Sequence, residues 1–219
     1  MISLDEESRD ALLEIFNIGV GRSAVALSQM INAEVALSIP DFEVLKISQI
    51  AARIAAPGQR ACVVQENFRQ GLDGNAMMVF TENEGLSLIA RLLDSPFPLD
   101  KLAEAEAEAL SEVGNIILNA CLAQVADALG VFLETTLPVC SVGGFESFTR
   151  NALASNGSSA EDAEAFLLKI NLIVKECGIM GYLIFLLDFR SVSTLRGLLT
   201  AFVMRLSPDR MAGASNARF

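Results

Sequence analysis

Asp10-Ala-Leu-Leu-Glu14-Ile-Phe-Asn17 and Glu108-Ala-Leu-Ser-Glu112-Val-Gly-Asn115 decide how this chain is read. The second octet lies 112 − 14 = 98 residues after the first, and the same offset carries Pro40 onto Pro138. In each copy 22 residues separate the Asn from the Pro. Residues three apart on an α-helix are near neighbours on one face, so each octet presents a carboxylate beside a carboxamide, with a further acid, Asp10 or Glu108, one turn earlier. A solvated acidic helix accounts for the glutamates. It does not account for the asparagines, whose side chains compete for backbone hydrogen bonds and are poor helix formers. Two of them at equivalent places in two long helices call for another reason.

Working outward, apolar residues at three- and four-residue steps (Leu12, Ile15, Phe16, Val20, Ala24, Leu27, Ile31) predict a helix over Leu4 to Asn32. Ser3 or Asp5 is its expected cap, with Glu6 and Glu7 complementing the helix dipole. Val35 to Ile39 is a short apolar run broken by Pro40 and Asp41. Ala61 to Phe68 and Asn75 to Thr81 read as strands joined through Gly71 and Gly74, and Leu86 to Leu93 as a short helix. A long helix then runs from an Asp100 cap through Lys101 to Leu129, stopped by Gly130, and Val131 to Leu137 leads into Pro138. The polar stretch Gly143 to Glu161 reads as a loop with at most a short helix. Ala165 to Glu176 alternates as a half-buried strand, with Phe166, Leu168, Ile170, Leu172 and Val174 inward. Gly178-Ile-Met-Gly181 is expected to turn it into Tyr182 to Leu187. Ser191 to Met204 is the last helix, and the tail 207–219 is expected to be poorly ordered.

Each half thus reads helix, strands, helix, which is the mark of an internal duplication. The expected fold is α+β. It is one domain over 1–206 made of two repeats, about 5–95 and 101–205, related by a pseudo-two-fold. Strands from both share one antiparallel sheet, and the two long site-bearing helices pack on it.

The composition narrows the chemistry. The chain has 219 residues, 16 Lys plus Arg against 27 Asp plus Glu, a net charge of −11, and no His or Trp. Without His there is no Ser-His-Asp triad, Cys-His pair or histidine-ligated zinc. The acidic balance disfavours nucleic acid and anionic membranes as partners. The longest apolar stretch, Ile179 to Leu187, is short of the ~20 residues of a spanning helix. The start MISLDEES lacks the basic and apolar regions of a secretory signal. Cys62, Cys121, Cys140 and Cys177 are scattered with no CxxC, so they read as reduced thiols of a cytoplasmic protein. No acidic cluster has convincing metal-ligand spacing.

The pattern Asp/Ser-x₃-Glu-x₂-Asn-x₂₂-Pro resembles the signature of the CheC, CheX and FliY phosphatases of chemotaxis. Asp10, Glu14, Asn17 and Pro40 match it completely. Glu108, Glu112, Asn115 and Pro138 match except at the first position, where Glu replaces Asp or Ser. Asn17-Ile-Gly-Val-Gly and Gly114-Asn-Ile-Ile-Leu-Asn-Ala are also similar to the family's helices, and the resemblance covers roughly 5–205, closest to CheC with its two copies. It implies hydrolysis of the aspartyl phosphate on a CheY-type response regulator. Asn17 and Asn115 would orient the attacking water, while Glu14 and Glu112 dock the regulator's Lys. Asp10, Glu108, Pro40 and Pro138 would support the site. The chain itself would bind no cofactor, the Mg²⁺ belonging to the regulator. Positioning a water through an amide, rather than abstracting its proton, suits a protein without His. The alternative is a non-catalytic adaptor for the phosphorylated regulator or for the receptor deamidase CheD, which this family commonly partners. Of the two copies, the complete one favours the first site.

Overall fold

The computed structural model describes residues 2–54, 59–92, 102–145, 147–148 and 163–206. The elements are α1 (Glu6–Ile31), β1 (Val35–Ser38), β2 (Phe42–Lys46), α2 (Ile47–Ile54), β3 (Arg60–Arg69), β4 (Gly74–Thr81), α3 (Glu82–Leu92), α4 (Leu102–Leu129), β5 (Glu134–Thr135), β6 (Val139–Gly144), β7 (Glu164–Val174), β8 (Cys177–Leu187) and α5 (Phe189–Leu206). The strands form one antiparallel sheet in the order β1-β7-β8-β4-β3-β5, with β2 also on β7 and β6 also on β3. Both edges are therefore strands interrupted in the middle. One breaks around Pro40, between β1 and β2, and the other around Pro138, between β5 and β6. Proline has no N–H to give to a ladder, and edges are where sheets tolerate it. The order reads the same from either end when the halves are exchanged, which is the arrangement that two equivalent halves would build.

Each face of the sheet is covered. Alternating residues Cys62, Val64 and Phe68 of β3, Ala76, Met78 and Phe80 of β4, Phe166, Leu168 and Ile170 of β7, and Leu183 and Phe185 of β8 meet α1, α4 and α5 in the main core. The opposite residues Val63, Met77, Val79, Leu167 and Ile184 pack with Ile47, Ile50 and Ile54 of α2 and with Phe145. The two long helices touch at a point with no room for a side chain: a Cβ on Gly19 would lie 2.9 Å from Cys121 Cα. Gly114 does the same against the sheet, where a Cβ would lie 2.6 Å from the Val64 side chain. α1 and the Glu108–Leu129 part of α4 are long and apolar enough to cross a membrane. Here, however, their apolar stripes lie in the core.

Several expectations shift. The hairpin between β7 and β8 turns at Lys175 and Glu176, both at positive φ (49° and 65°), rather than at Gly178 to Gly181. Those glycines lie within β8, and Gly181 is needed because the Phe80 ring covers it, 2.7 Å from where a Cβ would stand. Gly74 likewise belongs to β4 rather than to the turn, closed over by Phe68 and the Leu186 carbonyl. α3 starts earlier, at Glu82. β2 and α2 follow Asp41 where the sequence announced neither, and β6 takes Gly143 and Gly144 out of the expected loop. The Asp100 cap, most of the 143–161 stretch and the 207–219 tail lie outside the described residues.

Candidate functional site

Asp5 caps α1, its Oδ1 accepting from the Ser8 N–H at 2.7 Å. That hydrogen bond holds the Asp5 carboxyl below its ordinary pKa. Burial of Leu12, Ile15, Phe16, Gly19 and Val20 fixes the rotation of α1. Asp10 and Glu14 consequently face solvent, and Asn17 sits half-buried at the boundary between helix and edge strand. Burial of Leu110, Val113, Gly114, Ile117 and Leu118 gives α4 the same rotation, with Glu108 and Glu112 exposed and Asn115 half-buried. Each copy therefore offers an exposed carboxylate one turn from a half-buried carboxamide.

The Asn–Pro spacing has a direct physical cause in the first copy. Asn17 Oδ1 accepts from the Ile39 N–H at 2.9 Å, and its Nδ2 donates to the Ile39 carbonyl at 2.9 Å and to the Leu13 carbonyl at 3.2 Å. The amide thus mimics a strand and closes on Ile39 just before Pro40. Ile39 itself is 2% exposed. Arg9 adds a second tether: its Nη2 donates to Asp41 Oδ1 at 2.5 Å and to the Phe42 carbonyl, and its guanidinium lies over the Phe42 ring.

In the second copy none of these ties is repeated among the described residues. Asn115 Oδ1 accepts from Asn119 Nδ2 at 2.5 Å, a side chain on its own helix. Leu137, the counterpart of Ile39, is 88% exposed. Applying the offset of 98, Ala107 stands for Arg9, Val139 for Asp41 and Asn119 for Gly21. The structure thus ties Asn17 to Ile39 beside Pro40, shows no such tie from Asn115 to the Pro138 stretch among the described residues, and adds Arg9 and Asn119 to the candidate residues. The sequence signal for both additions was present, in positions where the two copies differ rather than agree.

Chemically, an amide can accept from a water and donate to an oxyanion, and an exposed glutamate can pair with a partner's cation. Among the described residues no group of three or more His, Cys, Asp or Glu is placed to hold a metal ion. The strongly shifted groups lie elsewhere. Glu66 is buried on β3 with neither carboxylate oxygen hydrogen-bonded, and desolvation pushes its pKa up to about 7. Cys121 on α4 is pushed up to about 12 by burial and by the nearby Glu66 charge. Cys121 and Cys140 are free thiols.

No protein-family model matches the chain. Among curated proteins it is 24% identical over 163 residues to the CheY-P phosphatase CheC of Bacillus subtilis, covering 73% of this chain and 78% of CheC. It is 26% identical over 138 residues to the flagellar motor switch phosphatase FliY of the same organism. That match takes in 62% of this chain but 35% of FliY, so the chain spans about a third of that relative. Among solved structures, Thermotoga maritima FliY superposes with a TM-score of 0.70 over 91% of this chain and 98% of that one, at 18% identity. CheX of Desulfovibrio desulfuricans gives 0.52 over 80% and 99%, at 16% identity. These likenesses point to the CheC/CheX/FliY family. The mixed fold, with its antiparallel sheet and two long helices, is the one this family predicts. What the likenesses leave to the residues is which side chains of this chain act.

Proposed function

We propose that the chain is a phosphatase that hydrolyses the aspartyl phosphate of a CheY-type response regulator in chemotaxis signalling, acting in the cytoplasm. The observation that carries this reading is the repeated ledge: an exposed Glu one turn from a half-buried Asn, Glu14 with Asn17 and Glu112 with Asn115, on the two long helices. The names of the curated relatives support it. The regulator brings its own phosphoryl group, Mg²⁺ and Lys, so this chain needs to add only position. Glu14 and Glu112 pair with the regulator's Lys and seat the helix, and the neighbouring amide holds a water in line with the phosphorus. Such positioning lowers the barrier without a general base. Asp10 and Glu108 shape the acidic rim, and Pro40 and Pro138 stop the edge strands, Pro40 beside the Asn17 amide.

The test is the rate of phosphate release from phosphorylated CheY-type regulators encoded near the gene, with Asn17→Ala and Asn115→Ala combined. The expected outcome is loss of the acceleration with regulator binding retained. Wild-type rates in the double variant would overturn the mechanism. Tight binding of the phosphorylated regulator, or of CheD, with no acceleration by the wild-type chain would establish the adaptor role instead.

A further inference from the structure

Resting on that reading, we infer that the two motif copies are unequal: the second, at Asn115, carries most of the turnover, and Asn119 is its positioning residue. Three independent features separate the copies. The first is hydrogen-bonding capacity. A carboxamide has two N–H donors and two acceptor positions. Asn17 uses both donors, on the Ile39 and Leu13 carbonyls, and one acceptor position, on the Ile39 N–H. It is left with a single acceptor position and nothing to donate. Among the described residues Asn115 uses one acceptor position, on Asn119, and keeps both donors and the other acceptor position. Only Asn115 can accept from a water and donate to a phosphoryl oxygen at once.

The second feature is the tether. Arg9 binds α1 to Asp41 and to the Phe42 carbonyl, closing the first edge over its helix. Ala107 and Val139 cannot form that tie in the second copy. The third is the flank. Ile39 is packed at 2% exposure, whereas Leu137 stands 88% exposed beside Val139 at 62%. The first edge is closed by its own chain, and the second is open to a partner.

Asn119 then has a definite task. Where backbone grips the amide in the first copy, Asn119 Nδ2 fixes the orientation of Asn115 by holding its Oδ1. Position 21 is a glycine, so the first copy has no such residue, and a Cβ there would meet nothing within 4 Å. An amide turned the right way before the substrate arrives needs no reorientation at the moment of reaction, the general benefit of preorganised polar groups.

The experiment measures dephosphorylation of a CheY-type regulator encoded near the gene and phosphorylated with acetyl phosphate, across a range of regulator concentrations. Every variant is checked for folding by circular dichroism. Asn115→Ala should lower kcat at least about ten-fold and Asn17→Ala no more than about three-fold. Asn119→Ala should lower kcat about five-fold with KM unchanged, and Asn119→Gln, which keeps a carboxamide, should recover part of it. Equal losses at Asn17 and Asn115, or a larger loss at Asn17, overturn the inference while leaving the phosphatase reading in place. So does an Asn119→Ala variant that changes only KM, or nothing. A wild-type chain that gives no acceleration overturns the phosphatase reading itself, and the inequality of its sites with it.

Discussion

Asn17→Ala should destabilise the protein far more than Asn115→Ala, although the two residues occupy equivalent places in the same motif. In the first copy the substitution removes two bonds to the Ile39 backbone and one to the Leu13 carbonyl. Ile39 is 2% exposed, so its N–H and carbonyl lose their amide partner where water has little access. A buried donor or acceptor left unpaired costs roughly 1–3 kcal/mol. Two such groups, softened because Asn17 is only half-buried, give a loss of about 2–4 kcal/mol, of which alanine's better helix propensity returns about 0.5 kcal/mol. In the second copy the substitution removes one bond between two half-buried amides, and Asn119 is free to turn to water. The expected loss there is about 0–1 kcal/mol, with the same propensity gain set against it. The gap between the variants is therefore about 2–3 kcal/mol, or roughly 5–10 °C in melting temperature for a chain of this size. Urea unfolding and thermal melting followed by circular dichroism measure it directly, without any partner. If the two variants lose the same stability, Asn17 does not latch the edge strand and the account of the Asn–Pro spacing is wrong.

Other consequences can be checked on the isolated protein. Glu66 titrates at about 7 in the fold against an ordinary value of 4.5, so between these values the native state holds a proton that the unfolded chain has released. Stability from this group is present below about pH 4.5 and falls by about 3 kcal/mol as pH rises through 7. Glu66→Gln should accordingly match the wild type near pH 5 and exceed it by about 2–3 kcal/mol near pH 8, measured by urea unfolding at the two values. A variant with the wild-type pH slope would show that Glu66 is not the group responsible. Gly19→Ala puts a methyl 2.9 Å from Cys121 Cα, so it must push α1 from α4. A loss of about 1–3 kcal/mol is expected, and thermal melting will show it. Gly21→Ala, which meets nothing within 4 Å, should instead stabilise by up to about 1 kcal/mol in the same assay.

How much of this could be read from the residues depends on whether the cause was local. The apolar stripe of α1 and the alternation of β7 follow from periodicity, and both elements stand where those patterns put them. The turn after β7 is not legible in the sequence because glycine is the usual signal for positive φ, whereas Lys175 and Glu176 supply it here. Gly178 and Gly181 lie in the strand, Gly181 under the Phe80 ring. A cross-strand ring is not visible in a run of letters. β2 and α2 leave no clear signal because Phe42 to Ile54 changes period within a few residues, with no glycine or proline between them. The motif residues stand out by their spacing, but spacing says nothing about what an amide grips. That Asn17 closes on Ile39 while Asn115 turns to Asn119 depends on side chains at positions 9, 21, 41 and 39, and on their counterparts 98 residues later. In sequence, those positions are informative only because they fail to match.

That failure to match bears on which site can work. Suppose the first copy needed a free donor on Asn17 as well as its remaining acceptor. It would first have to release either the Ile39 or the Leu13 carbonyl, at about 1–3 kcal/mol. A state that far uphill is populated at roughly 15% down to 0.6%, and the apparent affinity for a partner that requires it falls by the same factor. Among the described residues the second copy has no such latch to break, since its one bond holds the amide by the acceptor and leaves both donors available. With the same Glu and Asn in both octets, the inequality would then come from the edge strand: where the chain closes its own sheet edge with the amide, that amide is no longer available to a substrate.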